Sequence, residues 1–570
     1  MNDINFNNES ADNLNIVPEN KGGNKKLIMF IVVAILVAVV IGAFFIFKKL
    51  TPLAPFEPKP PFQEQVGRCG DNICDAFEKA NPNLCPKDCL LPVQSSLPQK
   101  TTSSERPPVT AKPEYQVSND SPFGIHDPGL LTAENDIAGI GAKWTRYAGR
   151  DGLVWDIIES DKGQFDWEYN DKLYLETFKK GIEIFVSITP ANKFYQSTDK
   201  SPENVPRDME AFKKFLKTAV ERYDGDGIGD APGSPIISFW QIGNELDLSF
   251  NNKSSPSEQA GFLKESYKTI KSANPAAKVA ISGAAGPEGF DGARRFYLPL
   301  LEELSKIKDG QSDRYFDIFD FHWYPFNDQY DYLTEFYPGA RKIYFKDYIR
   351  NVRQSLTKYG YGNTPIFITE TAQYSGTPGA SKNINPQTAL SQFKYRSEKE
   401  QAVFLIKQYV YSLANGVKKV LWATLTEWHN FGGETGSVWD NVGLINNPQN
   451  DNESHKKLGY YTYKKMAEVL EGSDWDNIET IQEKDGVYVY KFVKNGQPIW
   501  VAWNDNTGEK QVTISGVSSS SVKITEAVPN YDSGKEVKDY AAAFKTETKQ
   551  IINNKLTFTL GETPVFAEGN

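Results

Sequence analysis

Between residues 122 and 425 the chain alternates short apolar β-runs with amphipathic helical stretches, and this alternation restricts its fold more than any other feature. The candidate strands are 123–126, 142–148, 182–189, 236–245, 278–284, 316–324, 365–370 and 418–425. Helix-like segments lie between them, among them 208–223, 256–272, 297–308, 343–358 and 398–415. The runs before Glu245 (Ile236, Ile237, Phe239, Trp240, Ile242) and before Glu370 (Ile366, Phe367, Ile368) lack strict alternation, so they read as parallel strands covered on both faces. Eight such runs separated by helices predict an α/β chain built as a (β/α)8 TIM barrel rather than an open doubly wound sheet. No glycine-rich nucleotide loop follows any of the runs.

Ligands of a parallel barrel are met at the carboxyl ends of its strands, and polar chemistry gathers there in this sequence. Glu245 ends the fourth run and Glu370 the seventh. Of the four histidines, His126 ends the first run, His322 sits near the end of the sixth and His429 follows the eighth. Arg146 lies late in the second run, Asn244 precedes Glu245, and Tyr324 shares a strand face with His322. Taken singly, each is more often a satisfied structural residue than a reacting one. Two carboxylates over one site are candidates for an acid and a nucleophile.

The rest of the chain is organised around this region. Of 570 residues, 39% are hydrophobic and 13% aromatic, enough for a large core and more than one domain. The net charge of -10 leaves no basic surface for nucleic acid. After a short tail (1–26), Leu27–Phe47 is an unbroken uncharged, mostly apolar run, about 30 Å long as a helix, which predicts a transmembrane segment in contact with the lipid bilayer. A cleaved signal peptide is the competing reading, but Lys48 and Lys49 follow directly, with no small-residue cleavage site. Proline-rich 48–68 and Ser/Thr/Pro-rich 90–121 read as linkers around a small module, 69–89. That module holds Cys69, Cys74, Cys85 and Cys89. Disulfides, in any of three pairings, and a structural zinc site are the two readings; the spacing departs from paired CxxC knuckles and favours disulfides. Disulfides place the bulk of the chain outside the cytoplasm, on a single-pass cell-membrane protein.

After a barrel spanning 122–472, residues 473–570 turn all-β and predict a β-sandwich, with hairpin turns at Asn495-Gly496 and Asn553-Asn554. Before the fourth run, Asp224, Asp226 and Asp230 are spaced like part of a calcium loop. Arg222 at the first ligand position and the missing closing Glu depart from an EF-hand, and a plain solvated turn is the other reading. The cofactor expectation is therefore none for catalysis, with a structural calcium ion at these aspartates.

WQIGNE on the fourth run, HWY on the sixth, ITE on the seventh and a tryptophan on the eighth resemble glycoside hydrolase clan A, most nearly family 39, with family 5 next. The resemblance covers roughly residues 122 to 470 and implies a retaining glycosidase acting on an oligo- or polysaccharide. It makes Glu245 the acid/base and Glu370 the nucleophile. Asn244 would bind the sugar 2-hydroxyl, Tyr324 would hydrogen-bond the nucleophile, and His322 and Arg146 would orient the carboxylates; His126, by its place at a strand end, is a further substrate-binding candidate. Trp422, or Trp428 in another register, would be the sugar platform. A transglycosylase remodelling surface glycans uses the same residues, and a glycan-binding protein without activity is the third class. β-Xyloside, β-glucoside, β-mannoside and α-L-uronide substrates all suit the scaffold, because specificity lies in its loops.

Overall fold

The computed structural model describes residues 120–569, apart from 129–133, 196–200, 286–289, 327–328, 335–341, 379–392, 432–436 and 452–453. The proposed membrane segment Leu27–Phe47, both linkers and the four cysteines lie outside the described residues. Among the described residues no helix is long and apolar enough to cross a membrane.

Eight parallel strands form the first part: β1 (Phe123–His126), β2 (Trp144–Tyr147), β3 (Glu183–Thr189), β4 (Ile237–Asn244), β5 (Lys278–Gly283), β6 (Phe319–Trp323), β7 (Ile366–Thr371) and β8 (Val417–Ala423). Each pairs with its sequence neighbour, and β1 pairs with β8. Between β5 and β6 the ring is joined by two parallel bridges, Ala280 with Ile318 and Ala284 with Phe321. A helix follows each strand: α1 (Glu134–Gly139), α2 (Glu168–Lys179), α3 (Met209–Arg222), α4 (Pro256–Ala273), α5 (Phe290–Lys306), α6 (Phe345–Lys358), α7 (Glu398–Ala414) and α8 (Leu458–Leu470). This is the (β/α)8 barrel that the alternation predicts. The helix starts have local causes. Ser255 and Ser397 each close a reciprocal capping box, with Glu258 and Glu400, and Asp208 caps α3.

The C-terminal region is all β. Its six-stranded antiparallel sheet runs in the order β9 (Glu479–Lys484), β10 (Val487–Lys494), β11 (Gln497–Asn504), β16 (Val565–Gly569), β13 (Ser521–Glu526), β14 (Thr546–Gln550). A separate pair is formed by β12 (Lys510–Ser515) and β15 (Lys555–Leu560). The region is all-β as expected, with one six-stranded and one two-stranded sheet. The large sheet buries both faces. On one, Val487, Val489, Trp500 and Ala502 join Leu556, Phe558 and Leu560 of the small sheet. On the other, Tyr490, Phe492, Ile499, Val501 and Trp503 belong to the same core as the barrel. The period-2 alternation of β10 and β11 assigns each residue to its face.

The two expected turns differ in outcome. Asn495 and Gly496 have φ of 51° and 77° and join β10 to β11 as a tight hairpin. Asn553 and Asn554 also turn left-handed, with φ of 53° and 57°, but only the Ile552–Lys555 bridge closes there. Beyond it the chain parts, β14 to the edge of the large sheet and β15 into the small one, because alternate residues of β15 are needed in the core between the sheets.

Trp503 ties the parts together. It is fully buried, stacks on Tyr488 at 5.3 Å, and its indole N–H donates to the Tyr330 hydroxyl at 2.9 Å. Tyr330 donates in turn to Asp505 at 2.8 Å. Trp503→Ala should cost about 3–5 kcal/mol in urea unfolding. Barrel and C-terminal sheets should still unfold in one transition; two separated transitions would show that the shared core does not couple them.

Candidate active site

The barrel interior is filled in layers. Toward the amino ends of the strands, Trp144, Phe185, Phe239, Ala280, Ile318 and Phe367 form an apolar cluster of their own. Two residues further along three of these strands come Arg146, Gln241 and Thr369, on the same inward face. Thr369 donates its hydroxyl to Asp320 at 2.7 Å, the Gln241 amide donates to Asp320 as well, and Gln241 Oε1 accepts from Arg146 Nε at 2.8 Å. Burial pushes the Asp320 carboxyl up to about 6, against the pull of His322 and Arg146.

Arg146, fully buried, distributes its remaining N–H groups among three strand ends. Nη1 donates to Glu370 Oε1 at 2.7 Å and lies 3.1 Å from His126 Nδ1, while Nη2 donates to Asn244 Oδ1 at 2.7 Å. A guanidinium cannot accept, so His126 Nδ1 is the acceptor and the imidazole proton sits on Nε2, 3.5 Å from Glu370 Oε1. Burial, with Arg146 and His322 beside it, brings His126 down to about 3, so this imidazole is neutral. Glu370 also accepts the Tyr324 hydroxyl at 2.8 Å on Oε2. Burial alone would raise the Glu370 carboxyl; the charges of His322, His126 and Arg146, together with the Tyr324 hydrogen bond, hold it well below the carboxylate range. Because His126 is neutral, Arg146 and His322 carry that effect. A β-bulge in β7 sets the direction of Glu370: one extra residue, Thr369, lies between Ile368 and Glu370, whereas their partners Phe321 and His322 are adjacent.

Glu245 reaches the same place from β4 through a left-handed turn, φ 49°, with its N–H bonded to Gly283 O at 2.8 Å. That conformation costs a residue with a side chain about 1–2 kcal/mol, strain of the kind that gathers at functional sites. Its Oε1 lies 2.8 Å from His322 Nδ1, and His322 Nε2 lies 3.4 Å from Glu370 Oε1. The three side chains place a ligand atom each within 4.8 Å of one another. Burial would lower the His322 pKa, but the Glu370 charge and the Glu245 hydrogen bond outweigh it and raise the value. The ring fits because residue 283 is glycine: a Cβ there would come 2.3 Å from His322 Nε2.

Arg146, His126, Asn244, Glu245, His322, Tyr324 and Glu370 are thus brought together at the carboxyl face. Trp422 is not with them. It is fully buried in the core, its indole N–H donating to Val442 O at 3.1 Å, so it cannot be a sugar platform. Trp428 is partly exposed and stacks on Phe431 at 4.4 Å; both lie against Trp439, which meets the Tyr324 ring edge-on at 4.9 Å. This aromatic wall borders the site. Asp224, Asp226 and Asp230 come within 4.8 Å of one another on a separate loop, where Asp224, Asp226 and Asp230 oxygens accept the N–H groups of Asp226, Ile228 and Gly227.

The sequence reading passed over Asp320, Gln241, Gly283, Glu203 and Asp247. Asp320 is in step with His322 and Tyr324 on β6, a signal that was present in the alternation. Glu203 and Asp247 flank Glu245 and are pushed by burial up to about 8 and about 7, from loops with no periodicity to mark them.

No protein-family model and no curated protein sequence matches the chain. Solved structures do. A family 39 glycoside hydrolase from Bacteroides cellulosilyticus superposes with a TM-score of 0.54 at 17% identity, over 79% of this chain and 80% of that one. A monomeric β-xylosidase from Caulobacter crescentus gives 0.52 at 13% identity, over 79% and 96%. The catalytic domain of a GH30 xylanase C from Talaromyces cellulolyticus gives 0.51 at 15%, over 80% and 98%. At these identities the likeness is one of fold: a parallel eight-stranded barrel of the kind these glycosidases share.

With four histidines in the chain, imidazole titration by NMR can resolve the site. His322 should titrate above the ordinary histidine value and His126 far below it. Glu245→Gln should lower the His322 value, since it removes a partner of the charged ring. Gly283→Ala should displace the ring and lower it too; a His322 indifferent to both would contradict the bridged arrangement.

Proposed function

We propose that this chain is a retaining glycoside hydrolase working by double displacement, with Glu370 as nucleophile and Glu245 as acid/base. The observation that carries the reading is the approach of the two carboxylates: one oxygen of each lies within 4.8 Å of one oxygen of the other, and His322 contacts both. Inversion needs about 6.5–9.5 Å, to admit a water, whereas retention works at about 5–5.5 Å. In the first step a Glu370 oxygen attacks the anomeric carbon as the bond to the leaving oxygen breaks, and the Glu245 proton passes to that oxygen. In the second, Glu245 takes a proton from water, whose oxygen attacks the anomeric carbon and releases Glu370. Arg146 and Tyr324 keep Glu370 anionic and oriented. Since Asn244 Oδ1 faces Arg146, its amide nitrogen is turned away from the guanidinium and is suited to a sugar hydroxyl. The solved glycosidases of the same fold support a carbohydrate substrate.

Mutation separates the two roles. Glu370→Ala should abolish turnover, and azide should restore part of it on a substrate with a good leaving group, giving inverted product. Glu245→Ala should lose most of its rate on poor leaving groups, yet still accumulate the intermediate from activated aryl glycosides, with azide rescue giving retained product. Exchanged behaviour would exchange the roles. Tyr324→Phe removes one hydrogen bond from Glu370; kcat/KM should fall about 100-fold. Its acid limb should move to higher pH, because the lost bond had favoured the ionised form.

The reading extends to placement. Leu27–Phe47 would anchor the protein in the cell membrane with the barrel outside, and the four cysteines would form disulfides in the stalk. Protease added to intact cells should then digest the barrel and spare the first 26 residues; the reverse pattern refutes this topology. A calcium ion at Asp224, Asp226 and Asp230 would be structural, and chelator should lower the melting temperature if it binds.

A further inference from the structure

A second polar cavity, of about 330 Å³, opens where the loops after β7 and β8 meet the C-terminal region. Its size is at the lower end of the roughly 300–1,000 Å³ of small-molecule sites, and such junctions are where those sites tend to form. None of the residues that meet at Glu370 lines it. The partition is the turn Val438–Asn441: Trp439 packs on Tyr324, while Asp440 and Asn441 line the cavity.

The walls are built rather than merely solvated. Lys457, only 4% exposed, is bonded to buried Glu427 and to Ser375 Oγ at 2.9 Å. Glu398, 7% exposed, is held by His455 Nε2 at 2.9 Å and by the N–H groups of Leu458 and Gly534. Among the described residues, His455 Nδ1 and Arg396 Nε are buried atoms without a hydrogen-bond partner. At the rim Tyr395 is 64% exposed, a large ring with nothing stacked on it among the aromatic pairs of the described residues.

Charge decides the ligand class. The lining carries two permanent cations, Lys457 and Arg396, against the carboxylates of Glu398, Glu427 and Asp440. The net charge is therefore at most one negative unit, and the acids are already paired or bonded to N–H groups. A phosphate would meet three carboxylates, and a metal ion would meet two ammonium or guanidinium groups. A neutral polyol with hydroxyls that both donate and accept, and an apolar face for Tyr395, meets neither penalty.

We infer that this cavity is a second sugar-binding site, taking one neutral pyranose or furanose ring of a glycan. The choice of a sugar over another small polyol rests on the glycosidase reading.

The test uses the full chain carrying Glu370→Ala, to prevent turnover, titrated calorimetrically with methyl β-D-xylopyranoside and methyl β-D-glucopyranoside. One equivalent of at least one glycoside should bind in a way that Tyr395→Ala weakens about tenfold and Thr377→Trp, at the exposed mouth, abolishes. In chains with Glu370 intact, both substitutions should leave kcat/KM on an aryl glycoside within about twofold of the parent. Unchanged binding in both variants, or Tyr395-dependent binding of inorganic phosphate without sugar, overturns the site. Tyr395-dependent sugar binding by a parent chain that hydrolyses no aryl glycoside would sustain the cavity and sink the glycosidase reading; intact hydrolysis with no such binding would do the opposite.

Discussion

A fully buried guanidinium is the constraint on which the rest of the site depends. Arg146 brings a permanent charge into the barrel, where an unpaired ion is costly and breaking a buried pair costs about 3–5 kcal/mol. Its partners come from three strands, Gln241 and Asn244 on and ending β4, His126 ending β1 and Glu370 on β7, while Arg146 itself is on a fourth, β2. Satisfying one cation therefore fixes the relative positions of four strand ends. It also bears on two ionisation states together, since its charge adds to that of His322 in keeping Glu370 ionised and to burial in keeping His126 neutral. The Asp320–Gln241–Thr369 layer beneath makes the support rigid, because Gln241 can serve Arg146 only while its amide nitrogen is held by Asp320.

The two glutamates are treated differently by this framework. Glu370 is gripped on both oxygens, through Arg146 and Tyr324, and approached by two imidazoles. Glu245 is the more exposed of the pair, held by His322 alone among the described side chains and presented on a strained turn. A double displacement asks for that inequality, one carboxylate fixed and ionised, the other free to give and regain a proton. His322 spans both, so a change of charge on either is felt by the same ring.

The fold was legible because barrel strands buried on both faces are written as short apolar runs; all eight begin and end within a few residues of where the alternation puts them. The catalytic candidates were legible because strand ends are the one place where Glu, His and Arg interrupt such runs. The failures have physical causes as well. Trp422 and Trp428 both suit a platform by position, and only packing reveals that the first indole is spent on Val442 O in the core. Gly283 matters through the space it leaves for His322, which no local pattern records. Glu203 and Asp247 come from loops whose burial is decided by tertiary contacts. The turn at Asn553-Asn554 has hairpin chemistry, but the need for apolar residues in two different sheets pulls its strands apart.

Positions in the barrel floor are over-determined, whereas the walls above it are not. The floor residues hold one another through buried hydrogen bonds, so substitution there disturbs charge balance as well as shape. The wall is made of rings, Trp428, Phe431 and Trp439, whose mutual contacts need only apolar surface and can be rearranged without leaving a polar atom stranded. The turn Val438–Asn441 belongs to both regimes: Trp439 faces Tyr324, and Asp440 anchors the turn by accepting the N–H groups of Asn430 and Phe431. Substitution in the wall would therefore be accommodated by the rings, while Asp440 keeps their carrier in place and Arg146 keeps the Glu370 carboxylate where it is.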